Sequence, residues 1–157
     1  MNNPTSKQIA LHMKELYYGK NWTWSNMEDA LQGVDWKMAA TKIESINTIV
    51  VLVYHINYYL SQQVKVFKGG PLEGSDELSF EAPEILSEKD WQALKKSCNR
   101  KADEWIKLVA QLDDKILPTT FVDKKYGSYY RNLMGAVEHA HYHLGQIVIL
   151  KKLLKKG

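Results

Sequence analysis

The chain has a single cysteine, Cys98, among 157 residues. That excludes an intramolecular disulfide framework and suits a reducing compartment. Its four prolines and nine glycines are too few for a proline-rich or glycine-rich linker. No apolar run approaches the ~20 residues a membrane helix needs; the best, Ile49 to Ile56, is interrupted by Tyr54 and His55. Charge of one sign is also scarce, with a net value of only +3. The one dense basic run, Lys151 to Lys156, closes what reads as the last helix, where cations complement the macrodipole. Neither a nucleic-acid surface nor a membrane surface is therefore expected. The stretch Met1 to Ile9 is polar and carries no secretory pattern, so a cytoplasmic protein is expected. Convincing strands and internal repeats are missing as well.

What is present is helical periodicity over a length that fits one domain, 1–157, with 45% hydrophobic residues to build its core. Asn3 and Pro4 read as the start of a first helix carrying Ile9, Met13, Leu16 and Tyr17 and ending at Gly19. Ser25-Asn26-Met27-Glu28 is a capping box for a short helix that ends at Gly33, with Trp22 and Trp24 just before it. Aromatics in such a connection cap a core or line a pocket mouth. Asp35 caps a second helix, expected from Trp36 to about Phe67, with an apolar stripe of Ile46, Ile49, Val53, Ile56, Leu60 and Val64. Its other face carries Glu44, Thr48, His55, Tyr59 and Gln62, polar but weakly charged, as a lined cavity would be.

Residues 68–86 hold Gly69, Gly70, Pro71, Gly74 and Pro83 and break the pattern. An extended connection of that length spans a helix of ~30 residues, which permits parallel second and third helices. The third helix starts at Ser87 and buries Trp91, Leu94, Cys98, Trp105, Leu108 and Leu112; Cys98 is a core residue there. Ser128 caps the fourth, Tyr129 to about Lys155. The fold class is all-α, a four-helix bundle. Leu133, Val137, Leu144 and Val148 give the fourth helix a second apolar stripe, and a helix apolar on two sides is central in a bundle or faces a partner chain. A homodimer is expected.

Three of the five histidines fall in His139-Ala140-His141-Tyr142-His143. His139 and His143 lie one turn apart on one face, where two imidazoles can bind one divalent metal, while His141 points roughly the other way. Asn132, Gly135, Ala136 and Gln146 share the His139 face, and the small ones leave room for a metal and a ligand. His55, the lone histidine of the second helix and on its polar face, is the natural third ligand, since bundles meet their ligands from facing helices. Three neutral imidazoles leave open positions on the ion. Gln146 is either a partner of a ligand or a packing residue.

The segment Ser45 to Ile56, a crossover, a helix and then His139-x-x-x-His143-x-Gly145-Gln146 together resemble the DinB/YfiT-like superfamily of metalloenzymes, over essentially the whole chain. Trp24 resembles a tryptophan common in that connection. The resemblance implies a four-helix bundle with a long crossover between helices two and three, often dimeric. It also implies a divalent ion, zinc or nickel, on His55, His139 and His143. The activity implied is transfer of a low-molecular-weight thiol to an electrophilic small molecule, or isomerisation with a thiol cofactor. Leu144 departs from the family, which often has arginine there, and so puts any role of that arginine in doubt. Thr48, Tyr59, Gln146 and Trp24 are the candidate pocket residues. Two rival readings remain: a metal-dependent hydrolase, with Glu44 as its one candidate base, and a stress-related metal-binding protein without catalysis.

Overall fold

A computed structural model describes residues 4–155. Asn3, the expected first cap, and Lys156 lie outside the described residues. Seven α-helices occur among those described: α1 (Thr5–Tyr18), α2 (Met27–Leu31), α3 (Trp36–Ala40), α4 (Ile49–Phe67), α5 (Asp76–Ser79), α6 (Glu88–Ala110) and α7 (Tyr129–Leu154). Strands are absent among the described residues, where only two isolated bridges form, Ile43 to Ile46 and Thr120 to Ser128. None of the helices is long and apolar enough to cross a membrane.

Local chemistry sets most helix starts. Asp35, Thr48, Ser75, Ser87 and Ser128 each accept a hydrogen bond from the backbone N–H three residues on. For α2 the cap is Asn26, one residue later than the capping box suggests: its Oδ1 accepts from Asp29 N–H and its amide donates to the Asp29 carboxylate. The start of α1 is capped from far away in sequence, by Asp114, whose two oxygens accept from the N–H groups of Thr5 and Ser6. A carboxylate there also meets the positive end of the helix dipole.

The expected second helix is not continuous. It divides into α3 and α4 around residues 41–48, because Thr48 caps a new helix and Glu44 takes a left-handed backbone (φ 47). Ile46, at the right spacing for the core stripe, is consequently exposed.

The four long helices touch in the cyclic order α1, α6, α4, α7. Trp91, Trp105, Met13, Leu16, Ile49, Leu52, Ile56, Leu60, Leu133 and Leu144 are fully buried between them. Contacts fix the directions. Along α4 and α6, Val53 meets Cys98 and Gln63 meets Trp105, so the two helices run the same way. Along α4 and α7, His55 meets His139 and Gln63 meets Asn132, so these run oppositely. The indole N–H of Trp105 donates to Gln63 Oε1 (2.7 Å), and the Gln63 amide donates to the Asn132 carbonyl (2.9 Å). One side chain thus ties three helices together beside the histidines. Cys98 is buried, and burial pushes its thiol up to about 12, so it stays a thiol at neutral pH.

Candidate metal centre

His55 stands on the second turn of α4, and His139 and His143 stand one turn apart in the middle of α7. Antiparallel packing of these helices brings the three rings together. His139 Nε2 lies 3.0 Å from His55 Nε2 and 3.1 Å from His143 Nε2. One ligand atom from each of the three fits within a 4.8 Å cluster. His55 and His143 are buried and His139 is partly so.

The opposite edge of two of these rings is engaged. His55 Nδ1 lies 2.9 Å from the Ser79 hydroxyl, which itself donates to the Asp76 carbonyl. With its own proton committed, that hydroxyl accepts from His55, which requires the Nδ1–H tautomer. His143 Nδ1 lies 2.7 Å from Gln146 Oε1, an acceptor, and is held in the same tautomer. Both rings therefore direct a bare Nε2 lone pair at His139 Nε2. A neutral His139 can donate one proton to only one of them. The cluster has more acceptors than donors, and a shared cation would resolve that imbalance. Nitrogens that share an ion at ~2.1 Å stand about 3.0–3.4 Å apart for bond angles between square and tetrahedral; the two pairs that include His139, at 3.0 and 3.1 Å, fall at the lower end of this range, and the ligand atoms of all three lie within 4.8 Å of one another.

The electrostatics agree. Burial first, and the neighbouring His143 and His55 next, lower His139 to about 4. Burial followed by His143 lowers His55 as well. Rings that stay neutral at physiological pH keep their lone pairs for a ligand role.

The triad closes one end of a cavity of about 490 Å³, also lined by Tyr59, Gln63, Asp76, Phe80, Arg131, Asn132, Gly135 and Ala136. Phe80 stacks on His55 (ring centroids 4.1 Å apart), and Tyr59 sits edge-on to both His55 and His139. The Tyr59 hydroxyl donates to Asp76 Oδ1 at 2.9 Å. A wider groove of about 970 Å³ runs along α1, α2 and α6, past Tyr18 and Asp103, and contains none of the histidines.

Of the pocket candidates, Tyr59 lines the cavity and Gln146 orients His143. Thr48 is instead the cap of α4. Trp24 is 79% exposed and borders a separate depression with Lys151, Lys152 and Lys155. Glu44 occupies an exposed turn and does not line the cavity, whose carboxylate is Asp76. His141 turns to the Val137 carbonyl. Leu144 is buried in the core, so the position after His143 faces away from the cavity. Ser79, Phe80 and Asp76 escaped sequence reasoning because they belong to the glycine-rich connection, where no periodicity operates. The Ser75-Asp76-Glu77 start of α5 was the available signal.

The family model described as the DinB superfamily matches residues 21–147. No curated protein and no solved structure matches the chain.

Proposed function

The chain belongs to the DinB superfamily, and from that premise we propose that it is a divalent-metal-dependent enzyme whose His55, His139 and His143 hold the ion. The observation that carries the reading is the surplus of lone pairs: two imidazoles fixed as Nδ1–H tautomers both aim Nε2 at a third ring. Three histidine ligands leave positions open to a substrate atom, unlike a closed structural site. The reaction proposed is transfer of a low-molecular-weight thiol to an electrophilic small molecule, in a cytoplasmic homodimer.

When bound, the ion would supply positive charge that lowers the pKa of a thiol sulfur at the site, making it nucleophilic at neutral pH. The protein's own groups do the rest. Ser79 and Gln146 fix the ring orientations of His55 and His143. Phe80 stacked on His55 and Tyr59 edge-on to His55 and His139 place aromatic surface against the triad. Asp76 holds the Tyr59 hydroxyl in place through their hydrogen bond. Gly135 and Ala136 leave the floor of the cavity open beside His139.

Metal analysis of protein purified without a histidine tag tests the ligand set: about one equivalent of zinc or nickel in the wild type and almost none in His55→Ala. Equal content in both would sink the metal centre. A screen of bacillithiol, mycothiol, glutathione and coenzyme A against a generic electrophile tests the chemistry; no turnover with any of them in metal-loaded protein would remove the transferase reading. Light scattering showing a monomer at micromolar concentration would count against the dimer.

A further inference from the structure

Arg131 is the charged group of the cavity that nothing in the fold employs. It lines the cavity from the first turn of α7, and its guanidinium has no hydrogen-bond or ion-pair partner among the described residues. Its backbone N–H goes to Ser128, but its five side-chain donors are unspent. The first turn of a helix is also where the dipole disfavours a cation. The local chain nevertheless makes room for it: Gly127 has φ +78, and a Cβ there would come within 2.7 Å of Arg131 Cδ.

The neighbours do not supply an anion. Asp76 lines the same cavity without pairing to Arg131, and its Oδ1 accepts from Tyr59. The Asn132 amide is spent on the Tyr126 and Ser128 carbonyls. Between Arg131 and the triad lie Gly135 and Ala136, and a Cβ on Gly135 would meet nothing within 4 Å. The series Arg131, Gly135, His139, His143 advances by four residues along one ridge of α7. Arg131 and His139 are eight residues apart, a rise of ~12 Å. An open trough thus joins a triad at one end to an unpaired cation at the other.

We infer that this trough binds a small molecule bearing a carboxylate, with Arg131 taking the carboxylate while the molecule's metal-seeking atom reaches the histidines. A guanidinium presents a fork that matches the two carboxylate oxygens. The Asp76 carboxylate in the same cavity repels a second negative charge, which favours a carboxylate over a phosphate dianion. The inference rests on the metal reading above and makes Arg131 the residue that selects among thiols or their acceptors. Its exposed position at the mouth gives a modest, salt-sensitive preference.

The test uses Co(II)-loaded full-length protein and a set of simple thiols: mercaptoacetate, ω-mercaptohexanoate, ω-mercaptooctanoate and the neutral ω-mercaptohexanol. Each is titrated while the thiolate-to-cobalt absorption is followed. The expected result is that one of the two longer acids binds roughly five-fold tighter than the alcohol. Mercaptoacetate, too short to span the trough, shows no such advantage. In Arg131→Gln the preference disappears, while Co(II) affinity and the cobalt spectrum without thiol stay as in the wild type. Equal binding of acid and alcohol to the wild type overturns the inference and leaves the metal reading standing. A preference that survives in Arg131→Gln also overturns it, because another group then holds the carboxylate. Failure to bind Co(II) at all overturns both readings together.

Discussion

Gln146→Leu isolates the orientation of one imidazole from the rest of the site. The side chain is half-buried, and the hydrogen bond the structure gives it is from His143 Nδ1, at 2.7 Å. Leucine keeps the bulk and removes the acceptor. His143 is then free to carry its proton on either nitrogen, and the Nε2–H form cannot ligate through the Nε2 that faces the triad. Removing such a partner typically weakens metal binding ~10–100-fold, or about 1.4–2.8 kcal/mol. The metal-free protein should lose only the ordinary worth of one hydrogen bond, ~1 kcal/mol. Competition with a chromophoric zinc chelator measures the first quantity, and urea unfolding of the stripped protein measures the second. Ser79→Ala makes the same change at His55 and should move affinity in the same direction. The reasoning fails if Gln146→Leu is folded and binds zinc as tightly as the wild type. Packing alone would then orient the ring.

Two further outcomes follow, one from the triad and one from the turn before α4. His139 is lowered from the 6.5 of an unfolded chain to about 4, so above pH 6.5 both states are neutral and nothing is lost. As pH falls below 6.5 the unfolded chain binds a proton that the fold refuses, and the metal-free protein loses stability until pH about 4. The full shift corresponds to ~3.4 kcal/mol, and partial solvent access reduces this to about 2 kcal/mol; urea midpoints across this range should show it, and the same slope in His139→Asn would contradict it. Glu44 holds φ 47 in an exposed turn, so Glu44→Gly should stabilise the fold by roughly 0.5 kcal/mol once glycine's added chain entropy is subtracted. A lowered melting temperature in that variant would refute the strain.

The parts of the site legible in sequence are those on long periodic helices. His139 and His143 sit at i, i+4, and His55 is the lone histidine on a facing helix, so a helical wheel suffices to nominate them. Periodicity also misled. Ile46 and Ile49 are three apart, which is helical spacing, and that spacing read straight through residues 41–48, although α3 ends at Ala40 and Thr48 caps a new helix. Where spacing has no force, in residues 68–86, nothing marked Ser79 or Phe80 as neighbours of His55. Arg131 was hidden differently. It belongs to the fourth helix, but its unpaired state is visible only once every neighbour has been placed.

His55 and His139 are 84 residues apart. Closing a flexible loop of that length costs about 4 kcal/mol in chain entropy. His139 and His143, in contrast, need nothing more than α7 itself. Of the triad, a nascent or partly folded chain therefore presents only His139 and His143 together, and His55 arrives with the long-range docking of α4 on α7. If the triad holds an ion as proposed, affinity for it would measure how complete the fold is. Any cation that prefers the three-donor form draws the chain toward its finished state by mass action. On the proposed metal reading, a site built this way would discriminate between folded and unfolded copies of its own protein, and would leave the latter with little claim on a scarce metal.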